Sequence, residues 1–244
     1  MPVAIITGAG GLIGSEAVEH FIAEGFDVVA PAGQGCCGAL SLHVGREDEG
    51  LDFARALIER FEAHDVEYVV VNSAGCGSSM KDYARLLADD PHYAERAAAL
   101  SARTMDIAEF IVHVGPQAIY RDFPVAIAYH DACHLANAQG VRVQPRELLR
   151  TVPGLELREI RDAELCCGSA GVYNILNPEP ASQLGDRKAA NVAATGATLL
   201  VTANPGCLMQ IATSLRRQGH QMGMAHTVQV LDASIRGLSP QALG

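Results

Sequence analysis

Two stretches, QGCCGALSLHVG (residues 34–45) and ELCCGSAGVYNI (residues 164–175), decide how this chain folds. Each carries an adjacent cysteine pair followed by glycine. About forty residues further on, each half has an apolar run ending in a Gly-Cys element, YVVVNSAGCGSSM (68–80) and LLVTANPGCLMQ (199–210). Cys37 precedes Cys76 by 39 positions, and Cys167 precedes Cys207 by 40. A third, partial correspondence relates VAIITGAGG (3–11) to VAIAYHDAC (125–133). With the valines aligned, Gly11 stands opposite Cys133, so the first half lacks an upstream cysteine. Matching order and spacing make this an internal repeat.

Short β-branched runs near 3–7, 26–30, 67–72, 125–130, 155–160 and 198–203 read as buried strands. Helical patterns lie between them, over 51–64, 93–112 and 180–195. This alternation predicts an α/β fold of two tandem βαβ-type repeats with mostly parallel sheets. Because ligands gather at the carboxyl ends of parallel strands, the cysteines are expected at that rim of each sheet. The division falls in VGPQAIYRDFP (114–124), placing the halves at 1–118 and 119–244.

Composition narrows the function. The chain has 244 residues with 18 basic against 28 acidic side chains, a net charge of −10, and its only lysines are Lys81 and Lys188. Nucleic acid and anionic membrane are therefore not expected as main partners. Aromatics are 5% and Trp is absent, which leaves no base-stacking platform. No apolar run approaches the roughly 18 residues of a membrane span, and the opening MPVAIITGAGG lacks a basic signal-peptide region. A cytoplasmic protein is expected.

Seven cysteines, an odd number, argue against a disulfide framework. Adjacent cysteines rarely bridge each other, but both can face one metal when the backbone kinks. In the second half Cys133, Cys166, Cys167 and Cys207 supply four thiolates, which suit an iron–sulfur cluster and equally tetrahedral zinc. In the first half Cys36, Cys37 and Cys76 are available as metal ligands. A site there needs a fourth ligand, such as His43, a carboxylate or water, and zinc is a candidate in either half. His130 and His134 flank Cys133, where they either donate hydrogen bonds to cluster sulfur or cap a strand-to-helix turn.

Gly8, Gly11 and Gly14 form a competing signal. Their spacing resembles the dinucleotide-binding turn of the extended short-chain dehydrogenase and epimerase family, which would imply an NAD(P)-dependent epimerase or reductase. No acidic residue follows the strand at FDVV in APAGQG, and no Tyr is followed four positions later by Lys. Glycines that allow a tight strand–helix turn are the simpler reading, and NAD(P) is not expected.

From about residue 25 to the end, the chain resembles the two-CCG-domain family of cysteine-rich proteins, which takes in glycolate oxidase iron–sulfur subunits, lactate utilisation A proteins and heterodisulfide reductase B subunits. The phrases that carry the resemblance are PAGQGCCGALSLHVG, NSAGCGSSMKDY, YHDACHL, CCGSAGVYN and NPGC. It implies a non-catalytic iron–sulfur electron-transfer subunit of a glycolate or lactate oxidation complex, with a 4Fe–4S cluster at Cys133, Cys166, Cys167 and Cys207. The implied partners are a flavoprotein oxidase or dehydrogenase subunit and a ferredoxin-type protein or domain, with at most peripheral attachment to the inner face of the membrane. The family's closing C-x-x-C reads here as Ser73-Ala-Gly-Cys76 and Asn204-Pro-Gly-Cys207. A zinc-stabilised scaffold with no redox role is the rival reading.

Overall fold

The computed structural model describes residues 3–7, 17, 21–22, 26–116 and 118–243. Gly8, Gly11 and Gly14 lie outside the described residues. The chain divides into two compact units, Met1–Gln117 and Ala118–Gly244. Each unit holds a four-stranded sheet in which every pair of neighbours is parallel.

In the first unit the strands are β1 (Val3–Ile6), β2 (Asp27–Val29), β3 (Tyr68–Val71) and β4 (Thr104–Asp106), in the order β2-β1-β3-β4. The second unit has β5 (Val125–Tyr129), β6 (Leu155–Glu159), β7 (Leu199–Thr202) and β8 (Gly223–His226), in the order β6-β5-β7-β8. The permutation is the same. Registers correspond too, Ile5 lying opposite Val69 and Ile127 opposite Leu199. The inner strands read as continuous apolar runs because a parallel sheet is covered on both faces: Val69, Val70, Val71, Leu200 and Val201 are wholly buried.

The CCG turns are tied to this framework by one close contact. The helices Glu47–Glu62 and Pro178–Ala193 have 16 residues each. The fourth residue of each, Gly50 or Ala181, presents its carbonyl to the CCG glycine. A Cβ on Gly38 would lie 2.4 Å from the Gly50 oxygen, and one on Gly168 would lie 2.3 Å from the Ala181 oxygen. Both glycines also have left-handed φ, +80° and +91°. Only glycine meets both demands.

Two elements depart from the sequence reading. The run 93–112 is not one helix: β4 interrupts it, between the helices Ala94–Arg103 and Ile107–Val114. Asp106 ends the strand and starts the second helix, accepting from the Ala108 N–H at 2.8 Å and forming a reciprocal capping box with Glu109. The strand β8, GMAH, was not expected, because Gly, Met and Ala have little strand preference. Pairing with β7 at four positions overrides that weak propensity. The same box recurs after it, from His226 and Gln229. No helix among the described residues is long and apolar enough to cross a membrane.

Gly168→Ala adds the clash with the Ala181 carbonyl to the cost of a left-handed L-residue. It should destabilise the second unit by at least about 2 kcal/mol, read as a lower urea midpoint. A midpoint equal to that of the unaltered chain would remove the constraint.

Candidate metal centre

Parallel strands send their carboxyl ends to one rim. In the second unit, the loop after β6 carries Cys166 and Cys167, the turn after β5 carries Cys133, and the helix after β7 carries Cys207. These three strands are neighbours. Cys207 is the third residue of the helix Pro205–Arg217, whose cap is Asn204, accepting from the Gly206 N–H at 2.9 Å. Cys133 immediately precedes a π-helical turn, His134–Ala138, a geometry frequent at functional sites. The kink at Gly168 turns its N–H towards the Cys166 sulfur, at 3.3 Å.

The four thiols converge. Cys167 Sγ lies 3.3 Å from Cys207 Sγ, and both residues are buried. Cys166 hydrogen-bonds with Cys133 and with Cys167, so the sulfurs form a chain in the order 133, 166, 167, 207. Left to share protons among themselves, the thiols split. Donation from Cys133 and Cys167 holds Cys166 far below the usual thiol range. Donation from Cys167, with help from His130, lowers Cys207 to about 6. Cys133 and Cys167 are pushed up in turn. His130 is 1% exposed, and neither ring nitrogen has a hydrogen bond of ordinary geometry. Among the described residues, only His130, Cys167 and Cys207 bring three donor atoms within 4.8 Å of one another. His134 Nδ1 is 3.6 Å from Cys133 Sγ.

The donors are braced by charged residues that the sequence reading passed over. Arg146 grips Asp131 with both terminal nitrogens, at 2.8 and 2.7 Å, and Glu159 at 2.9 Å, while its guanidinium lies over the Tyr129 ring. It thereby pins the turn after β5 to the end of β6. Lys188, fully buried on the helix Pro178–Ala193, donates to the carbonyls of Asp162 and Ala163 at 2.7 and 3.2 Å. Asn191, one turn on, donates to the Arg161 carbonyl at 2.9 Å. Together they hold the segment that leads into the cysteine pair. Burial lowers the Lys188 pKa, opposed by the carboxylates of Asp131, Glu164 and Asp162. Lys188 was detectable in sequence: it falls on the stripe Ala181, Gly185, Lys188, Ala189, Val192, whose spacing is that of a buried helix face. Arg146 and Asp131 carry no such signal.

The first unit repeats the frame with fewer donors. Gly38 N–H approaches Cys36 Sγ at 3.4 Å, as Gly168 does Cys166. Cys37 and Cys76 hydrogen-bond through their thiols; Cys76 is lowered to about 7 by that bond and Cys37 is raised. Tyr83 Oη donates to the Cys37 carbonyl at 2.6 Å. Cys76 is the third residue of its helix, like Cys207, and Ser73 stands at the cap and bonds its sulfur. Cys36 and His43 are exposed. Among the described residues, no three donors of this unit lie within 4.8 Å of one another. Where Lys188 stands on its helix, the equivalent eleventh residue is Leu57, a core side chain.

The fold and the paired CCG turns define a cysteine-rich domain repeated in tandem. The cysteine-rich domain family CCG matches residues 16–81 and 127–212, and the chain belongs to that family. It is 42% identical over 197 residues to the "Probable glycolate oxidase iron-sulfur subunit" of Bacillus subtilis, covering 80% of this chain but 44% of that protein, so it spans under half of that relative's length. It is 33% identical over 225 residues to lactate utilization protein A of Exiguobacterium, covering 92% of each. A glutamate racemase structure from Bacillus anthracis overlaps 97% of this chain and 80% of its own, at 10% identity and a TM-score of 0.38, too low to bear on function.

Arg146→Leu would leave Asp131 buried and unpaired, which should cost the second unit about 3 kcal/mol. Urea denaturation of Arg146→Leu, alone and with Asp131→Asn, checks this: the second substitution should recover much of the loss. Under mild oxidation of metal-stripped protein, Cys167 and Cys207 should be the first pair to join. Peptide mapping without reductant reads the linkage, and a different first pair would contradict the geometry.

Proposed function

We propose that the chain is the iron–sulfur subunit of a system that oxidises glycolate or lactate, with a 4Fe–4S cluster held by Cys133, Cys166, Cys167 and Cys207. The observation that carries this reading is the arrival of four thiols, two of them buried, from three adjacent strand ends at one rim. The donor set fits the group. It is sulfur-rich and includes no carboxylate, which suits iron or zinc and disfavours magnesium or calcium. The Gly168 N–H already donates to one of the sulfurs, and the helix amino terminus at Cys207 favours a thiolate there.

A cluster so placed supplies one-electron storage between a flavin donor and a later acceptor. The chain's own residues would set its properties. Burial of Cys167 and Cys207 keeps water away, while partly exposed Cys133 and Cys166 leave one side open for electron exchange. In the same unit, Ile175, Leu176 and Met209 are exposed apolar residues. Asn174 and Gln210, their neighbours in the chain, are hydrogen-bonded at 3.1 Å. Such a surface suits a flavoprotein subunit and a ferredoxin-type partner, in a complex at the cytoplasmic side of the membrane. In the first half (1–118), Cys36, Cys37 and Cys76 are the ligands available to zinc, which would have to draw Cys36 in and take its last ligand from outside the set. The second half (119–244) is the redox half.

Protein purified without oxygen should contain iron and acid-labile sulfide, near four of each per chain for one such cluster, as an order-of-magnitude figure. Cys166→Ser should lose most of the iron and the visible charge-transfer absorption while far-ultraviolet circular dichroism stays unchanged. Zinc without iron or sulfide would select the scaffold reading instead.

A further inference from the structure

We propose that His130 is a nitrogen ligand of the metal centre in the second unit, taking the place of the cysteine that Asn204 replaces. The inference rests on the reading that this unit binds a metal, though not on a cubane in which every iron already has its own cysteine, and it adds a donor that neither the cysteine pattern nor the family match assigns.

Three independent observations support it. First, His130 is 1% exposed and its two ring nitrogens lack hydrogen bonds of ordinary geometry. An imidazole serving only as core packing would have just its loose approach to the Cys207 sulfur to satisfy two buried ring nitrogens, a costly arrangement that folded proteins rarely keep. Second, a His130 ring nitrogen lies within 4.8 Å of both Cys167 and Cys207 sulfurs, which are themselves 3.3 Å apart. One ion can be reached by all three. Third, the two halves of the chain differ together. With the valines of VAIITGAGG and VAIAYHDAC aligned, Gly8 stands opposite His130 and Gly11 opposite Cys133. The half that lacks the upstream cysteine also lacks the histidine.

Asn204 cannot do the same work. It sits at the amino-terminal cap of the helix Pro205–Arg217, and its side-chain oxygen is held by the Gly206 N–H at 2.9 Å. The non-cysteine position of the C-x-x-C element is thus filled by a capping residue, and the buried nitrogen donor beside Cys167 and Cys207 comes from just after β5. Sulfur and imidazole donors together suit both iron and zinc, so the geometry favours neither metal over the other.

The test uses the full chain purified without oxygen. X-ray absorption at the edge of whichever metal elemental analysis finds, iron or zinc, should show sulfur plus one nitrogen at roughly 2.0–2.1 Å. In a paramagnetic iron form, pulsed electron paramagnetic resonance with 15N-histidine labelling should show a nitrogen coupling that His130→Ala abolishes. His130→Ala should weaken metal retention against a chelator by at least about tenfold. Adding Asn204→Cys to that variant should restore it with an all-sulfur shell. An all-sulfur shell in the unaltered protein, or full retention and an unchanged spectrum in His130→Ala, would overturn the assignment and leave His130 as packing. If His130→Ala fails to fold, the spectra of the unaltered protein decide alone. Absence of any metal from the unaltered protein would instead refute the metal-centre reading itself.

Discussion

Parallel strands lie about 4.8 Å apart and all point their carboxyl ends the same way, so whatever follows three neighbouring strands is delivered to one short stretch of rim. The second unit depends on this. Its order β6-β5-β7 places the cysteine pair, Cys133 and Cys207 on successive strands, although residues 133 and 207 are far apart in sequence. No long-range element has to be bent inward to assemble the thiols. The chain has only to leave each strand with a cysteine a few residues on.

That delivery needs a tight turn at the pair, and here packing and chemistry meet. The CCG glycine must adopt left-handed φ and must let the carbonyl of Ala181 or Gly50 come closer than any side chain permits. In return its N–H reaches the first sulfur of the pair. A single residue thereby fixes the helix against the loop and gives a cysteine sulfur its donor. Because both units preserve this contact at the same helix position, the motif is first a feature of the fold and only then a ligand motif.

The two units show what the frame requires and what the second unit adds. Both keep the sheet order, the paired turn, the cysteine in the first turn of a helix and the capping box after the last strand. The second alone has Cys133 and His130 where the first has glycines, and a buried ammonium, Lys188, at the position of Leu57. A buried ammonium costs several kcal/mol unless negative charge is close by. Its carbonyl partners, Asp162 and Ala163, supply part of that compensation. The unit with fewer thiols has a plain leucine there.

Much of this was legible in the chain itself. The repeat, the six strongest strands, the α/β class and the identity of the cysteines follow from spacing and from β-branched runs, which are local properties. Local information failed where neighbours decide the outcome. Thr104-Met105-Asp106 reads as the middle of a helix until β3 offers it hydrogen bonds, and GMAH becomes a strand only because β7 lies beside it. Arg146 and Asp131 look like ordinary polar residues until the turn after β5 folds under the end of β6. Spacing singled out the cysteines, but only the packed sheet determined that His130 lies beside Cys167 and Cys207. Proximity between distant parts of a chain is a property of the sheet order, and no single stretch of sequence contains it.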